Sequence, residues 1–139
     1  MSGWDCYIDS MMGTKVLQDA AIFGLHENNP SLWAGYKSGF LCKSTPQEIN
    51  MLIGQDRNAI LTKGACLGGQ KVSVIKDNYI DDGTIDARTK NSCGGPTFAV
   101  SISRTKSALI MVVGKEGVHG GTVNTAVSPT VEYLTKSGY

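Results

Sequence analysis

The longest uninterrupted apolar run lies late in the chain. Ala108–Val113 shows no alternation, which predicts a strand covered on both faces. Gly114 ends it, and glycines at 114, 117, 120 and 121 predict a tight turn whose backbone takes positive φ. Beyond Gly121 the spacing becomes helical, with Val123, Val127, Val131 and Leu134 on one stripe. Pro129 falls inside that stripe and predicts a kink or break, with Ser128 as N-cap and Pro129 opening a restarted helix.

The other segments follow the same two periods. Trp4, Tyr7, Ile8 and Met11 predict an N-terminal helix with Ser2 as N-cap, Asp5 in the first turn and Gly13 at its end. Asp19–Phe23 and Leu32–Ala34 read as short strands joined by a polar turn over 26–30. Thr45, Pro46 and Glu48 form a capping box, which predicts a helix over 46–53 stopped by Gly54. From residue 58 onward strands are expected. These are a short one at Ile60-Leu61, an alternating one through Val72 and Val74, and another through Ile85 and Ala87 after an Asp81-Asp82-Gly83 hairpin turn. A last alternating strand runs through Phe98, Val100 and Ile102. Successive strands with short turns, and helices at the ends and middle, imply an α+β domain on an antiparallel sheet.

Composition narrows the class. A chain of 139 residues with 41% hydrophobic and 18% charged side chains is expected to form one globular domain, 1–139. No apolar run approaches the roughly 20 residues of a membrane helix, and MSGWDCY is no signal segment, so a soluble cytoplasmic protein is expected. Cys6, Cys42, Cys66 and Cys93 lie far apart without a CxxC pair, which argues against zinc and redox motifs and for packing thiols. The net charge of +1 divides into −2 over residues 1–60 (four basic, six acidic) and +3 over 61–139 (nine basic, six acidic). That is too mild for a nucleic-acid protein, yet it permits a basic surface facing an acidic partner or an anionic headgroup.

The glycine turn does not carry recognisable chemistry. Lys115 follows the first glycine, but the order of a phosphate-binding P-loop is absent, and so is the dinucleotide pattern. Nothing places a nucleophile or carboxylate to make His119 a catalytic base, so no enzyme and no cofactor are expected. Trp4 and Tyr7 share a helix face, and with Tyr133, Leu134 and Tyr139 they form either core or one wall of an aromatic groove.

Longer motifs carry a resemblance. GKEGVHGG at 114–121 is similar to the corresponding segment of animal-type profilins, as are LGGQK at 67–71, SVIKD at 73–77, ARTK at 87–90, GGPTF at 94–98, DAAIFG at 19–24 and SGWDCYID at 2–9. The match runs through the whole chain in order. The resemblance implies a central antiparallel sheet with the N- and C-terminal helices on one face and short helices on the other. It implies a cytoskeleton-associated binding module that joins monomeric actin to proline-rich proteins such as formins and promotes exchange of actin-bound nucleotide.

It also implies sites. The proline-rich ligand falls to Trp4, Tyr7, Trp33, Tyr133, Leu134 and Tyr139, with Tyr133 where some members have histidine. Actin falls to Leu61, Lys71, Ser73, Lys76, Arg88, Lys90, Thr97, Val118, His119, Gly121 and Asn124. Thr125, Ser128 and Pro129 depart from the animal pattern, which implies weaker actin binding. Lys71, Lys76, Arg88, Lys90 and Lys136 are the expected attraction for phosphoinositide headgroups on a membrane surface. Parity puts Arg88 and Lys90 on one strand face, whereas Lys71 and Lys76 need a bulge to align. The alternative is a small-molecule or lipid-binding sensor domain on a similar scaffold, using the glycine turn and lysines for an anion.

Overall fold

The computed structural model describes residues 4–26, 29–54, 56–90 and 95–139. Ser2 as N-cap, part of the 26–30 turn, Cys93 and Gly94 lie outside them. Seven strands form one antiparallel sheet: β1 (Leu17–His26), β2 (Asn29–Gly35), β3 (Ala65–Leu67), β4 (Gln70–Asn78), β5 (Thr84–Thr89), β6 (Ala99–Arg104) and β7 (Ala108–Gly114). Their order is β2-β1-β7-β6-β5-β4-β3, so the late apolar strand β7 sits between β1 and β6. Five α-helices accompany the sheet: α1 (Asp5–Met12), α2 (Pro46–Leu52), α3 (Arg57–Lys63), α4 (Tyr79–Asp82) and α5 (Gly120–Lys136), with a 3-10 turn at Leu41–Lys43.

The apolar run of β7 feeds two cores. Leu109, Met111 and Val113 pack with Leu41, Ile49 and Leu52 beneath α2. Ala108, Ile110 and Val112 pack with Ile8 and Met11 of α1 and Val123, Val127 and Leu134 of α5. Alternate residues of a strand point to opposite faces, so an uninterrupted run is what a doubly covered strand requires. The terminal helices thus share one face and the short α2 lies on the other.

Asp19, buried on the α2 side, ties the chain there. Its carboxylate accepts from the backbone N–H groups of Ala20 at 2.9 Å, Phe40 at 2.9 Å and Leu41 at 3.0 Å. The capping box of α2 is complete, with Glu48 N–H donating to Thr45 Oγ1 at 3.1 Å and Thr45 N–H to Glu48 Oε1 at 2.9 Å. Helix α2 ends at Leu52, one residue short of the expected end, with Ile53 at the C-cap.

Four expectations are corrected. Ile60-Leu61 is not a strand but the middle of α3: Asp56 Oδ1 accepts from Ala59 N–H at 3.2 Å, and Gly64 closes the helix at φ +75°. Two apolar residues were too short a pattern to fix a period, and the N-cap and helix-forming Arg, Ala, Leu and Lys decide it. The expected hairpin does join β4 to β5, but its connection is longer than Asp81-Asp82-Gly83: it is the single helical turn α4, closed by Gly83 in the left-handed region at φ +79°. Of the glycines at 114, 117, 120 and 121, only Gly117 has positive φ, +81°. Gly114 serves packing instead, since an added Cβ would lie 2.6 Å from Val123 Cγ2.

Finally, α5 runs without interruption through Pro129 rather than restarting there. Val127 and Thr130, on either side of the proline, are both buried and hold the two halves to the sheet. Pro129 and Thr125 are exposed, so the Thr125 carbonyl deprived of its N–H partner faces water.

Candidate functional site

Two surfaces carry the expected residues. The first lies where α1, β2 and the end of α5 meet. The Trp4 ring centroid is 5.4 Å from that of Tyr7, 4.5 Å from Trp33 and 5.0 Å from Tyr139, the last edge-on at 81°. Tyr7 and Tyr133 follow at 5.8 Å. Five rings from three separated stretches of sequence therefore form one continuous aromatic surface. Leu134, expected among them, is instead 0% exposed in the core beneath α5, because its helical phase differs from that of Tyr133 by a full 100°. It supports the surface from below.

Two features hold the rings in place. Gly24 on β1 lies directly under Trp33: a Cβ there would meet the indole Cε2 at 2.1 Å. Tyr139 is anchored by its backbone carbonyl, which accepts from Thr105 Oγ1 at 2.6 Å and Ser107 Oγ at 3.0 Å. Burial, and then the Tyr133 phenol beside it, push the Tyr7 hydroxyl above the ordinary phenol range. It remains a neutral donor at physiological pH. Gly24 was missed by sequence reasoning, although a glycine inside a strand is a sign of close approach by another group.

The second surface is the part of the same sheet face that α5 leaves uncovered. The strand register shifts between Val74 and Lys76. This is the bulge that parity demanded: Ser73 faces Arg88 and Lys76 faces Asp86, so Lys71, Ser73, Lys76, Arg88 and Lys90 share one face. The extra residue, Ile75, is turned outward and 64% exposed, an apolar contributor that alternation alone did not mark.

Arg88 is fixed by Nε donating to Thr97 Oγ1 at 2.8 Å and an Nη to the Thr97 carbonyl at 3.2 Å. Asn124 joins the start of α5 to this face, accepting from Ser101 Oγ at 2.5 Å and donating to Asp86 Oδ1 at 3.3 Å. His119 is the N-cap of α5, exposed and making no side-chain cap bond, and Gly121 beside it faces open space. Val118 is half-buried against the α5 core. Leu61 is exposed on α3, which packs beside β4. Lys136 is not part of the basic cluster: it lies at the far end of α5, about 24 Å along the helix from Gly120, paired with Glu132 at 3.0 Å.

Comparison with known proteins bears on both surfaces. The family model described as Profilin matches residues 2–139. The chain belongs to the profilin family. Over 141 aligned residues it is 43% identical to profilin-1 of Mus musculus and 43% identical to profilin-2 of Rattus norvegicus, covering 100% of each chain. It superposes with a TM-score of 0.92 on mouse profilin IIa in complex with a double repeat from the FH1 domain of mDia1, at 41% identity over 99% of this chain and 100% of that one. Human profilin II gives a TM-score of 0.90 at 43% identity, over 96% of this chain and 99% of that one.

As a profilin, the chain is a non-enzymatic, actin-binding regulator of the cytoskeleton that also takes proline-rich ligands. Profilins are soluble cytoplasmic proteins, and no helix among the described residues is long and apolar enough to cross a membrane.

Proposed function

We propose that residues 1–139 act as one domain that holds an actin monomer on the basic sheet face and a proline-rich segment on the aromatic surface. The observation that carries this reading is the separation of two differently built surfaces, with five rings at one end of α5 and Arg88, Lys90 and His119 at the other. A polyproline II segment is already extended and loses little entropy on binding. Its rings stack on aromatic walls while indole and phenol donors bond its free carbonyls. Tyr133 in place of histidine keeps a hydrogen-bond donor there.

At the other surface, Lys71, Lys76, Arg88 and Lys90 complement acidic actin, and the glycines beside His119, whose Cβ positions face open space, admit close approach. An interface of this kind buries about 1,600 Å² or more, with few positions dominating. Holding actin in a more open conformation accelerates exchange of its nucleotide without chemistry from this chain. Association with the cytoskeleton follows from that binding.

A titration of oligoproline followed by tryptophan fluorescence tests the aromatic half. A saturable change that Trp4→Ala abolishes, with actin binding retained, is expected. Normal oligoproline binding by Trp4→Ala refutes the assignment.

The basic cluster also supports weak binding to phosphoinositide surfaces, at about 1 kcal/mol per basic side chain. Four clustered cations, without Lys136, carry it. Vesicle co-sedimentation weakens between low and physiological salt if this is so.

A further inference from the structure

The helical turn α4 carries a tyrosine that neither proposed surface uses. None of the four residues of α4 is buried, and Ile80 beside Tyr79 is 76% exposed. The Tyr79 ring packs against the core that contains Leu52, and two guanidinium groups lie over it, Arg57 Cζ at 4.8 Å and Arg104 Cζ at 5.7 Å from its centroid. The two arginines differ in what else they hold. Arg57 donates to both Asp77 carboxylate oxygens and to the carbonyls of Leu52 at 2.7 Å and Gly54 at 3.0 Å. Arg104 is exposed, pairs with no carboxylate among the described residues, and donates from Nη1 to Tyr79 Oη at 2.5 Å. Packing accounts for the ring. It does not account for an unpaired guanidinium held on an exposed phenol oxygen.

The geometry points to a modification site: Tyr79 is the acceptor for a phosphoryl group from ATP, and Arg104 is the cation that then holds the phosphate. The bond from Tyr79 Oη to the γ-phosphorus forms as the bond from that phosphorus to ADP breaks, and the phenol proton passes to the carboxylate base of a tyrosine kinase. The product replaces one neutral acceptor by three strong ones, beside a guanidinium able to bond two of them in parallel. Flanking charge sets the class of kinase. Asp77, Asp81 and Asp82 stand at −2, +2 and +3 from Tyr79, and the last two are exposed, so a kinase with a basic substrate groove fits. A single helical turn without a buried residue also opens at less cost than a core element, which lets the acceptor reach an active site.

The folded full chain, without actin, is incubated with magnesium ATP and the catalytic domain of a tyrosine kinase that selects acidic flanks, and mass spectrometry of its peptides locates the phosphate. Tyr7 is the internal control, because Asp5 and Asp9 stand at −2 and +2 from it while its hydroxyl lies against Tyr133. Tyr79 is expected to be phosphorylated about tenfold faster than Tyr7 or any other tyrosine of the chain. Tyr79→Phe, which keeps the ring, should remove the label, and Asp81→Asn should slow the transfer about threefold. Phosphorus NMR of the modified chain then reads the arginine. The second ionisation of the phosphate, at about pH 6 for a free phosphotyrosine, is expected to lie about half a pH unit higher in Arg104→Gln than in the wild type. No transfer to the folded chain, preference for Tyr7, an unchanged rate in Asp81→Asn, or the same ionisation midpoint with and without Arg104 overturns the assignment.

Discussion

Asp77 shows how a single residue sets a condition on stability. Arg57 donates to it through Nε at 2.9 Å and an Nη at 2.7 Å, with both side chains largely buried. That hydrogen bonding holds the Asp77 carboxyl below its ordinary range, against the opposing effect of burial. A depressed carboxyl contributes stability above its unfolded pKa and loses it as pH falls through the folded one. Asp77→Asn should cost on the order of 1–3 kcal/mol at pH 7 and flatten the loss of stability on acidification below about pH 4, read by urea unfolding at several pH values. An unchanged acid slope contradicts the role. Asp19 has the opposite sign. Burial raises its carboxyl, so its contribution is greatest in acid and shrinks as pH rises through the folded pKa. The residue scale also contains Gly24. Gly24→Ala drives a methyl into Trp33 and should weaken oligoproline binding several-fold without touching actin binding, as paired titrations would report.

Among the elements, legibility in the sequence followed the length and redundancy of the signal. The capping box at Thr45-Glu48 combined three independent cues and located α2 to within one residue. The unbroken run of β7 announced a strand between two cores. Ile60-Leu61 offers only two apolar positions, and the N-cap that decides α3, Asp56, lies outside any apolar pattern. Pro129 was misread in the other direction. Local chemistry argues for a break, but the burial of Val127 and Thr130 against the sheet outweighs one lost hydrogen bond. Pro129→Ala restores that bond and should raise stability by about 1 kcal/mol or more, seen as a higher urea midpoint. A lower midpoint would mean that the proline is favoured where it stands.

The sites were legible to different degrees for the same physical reason. Arg88 and Lys90 share a face by parity alone. The alignment of Lys71 with Lys76 needed the bulge at Ile75, which no periodicity announces. The rings of Trp4, Trp33 and Tyr139 are brought together only by tertiary structure, so the resemblance, not their spacing, united them. Leu134 and Lys136 show the limit of transfer by position, because one is buried and the other lies at the far end of α5.

For the whole molecule, the aromatic surface and the basic sheet face lie toward opposite ends of α5, and the proposed function assigns each its own ligand. Arg88→Glu and His119→Glu should each lower actin affinity about tenfold, about 1.4 kcal/mol, and leave oligoproline binding intact. Sedimentation of actin with each variant checks this, and undiminished binding in both puts the actin site elsewhere. The most direct test of the two-face arrangement is one titration. Oligoproline is added to the chain alone and to the chain saturated with monomeric actin. Equal affinities within twofold, with a ternary complex that sediments as one species, are the predicted result. Displacement of actin by oligoproline, or loss of oligoproline binding in the presence of actin, would contradict it.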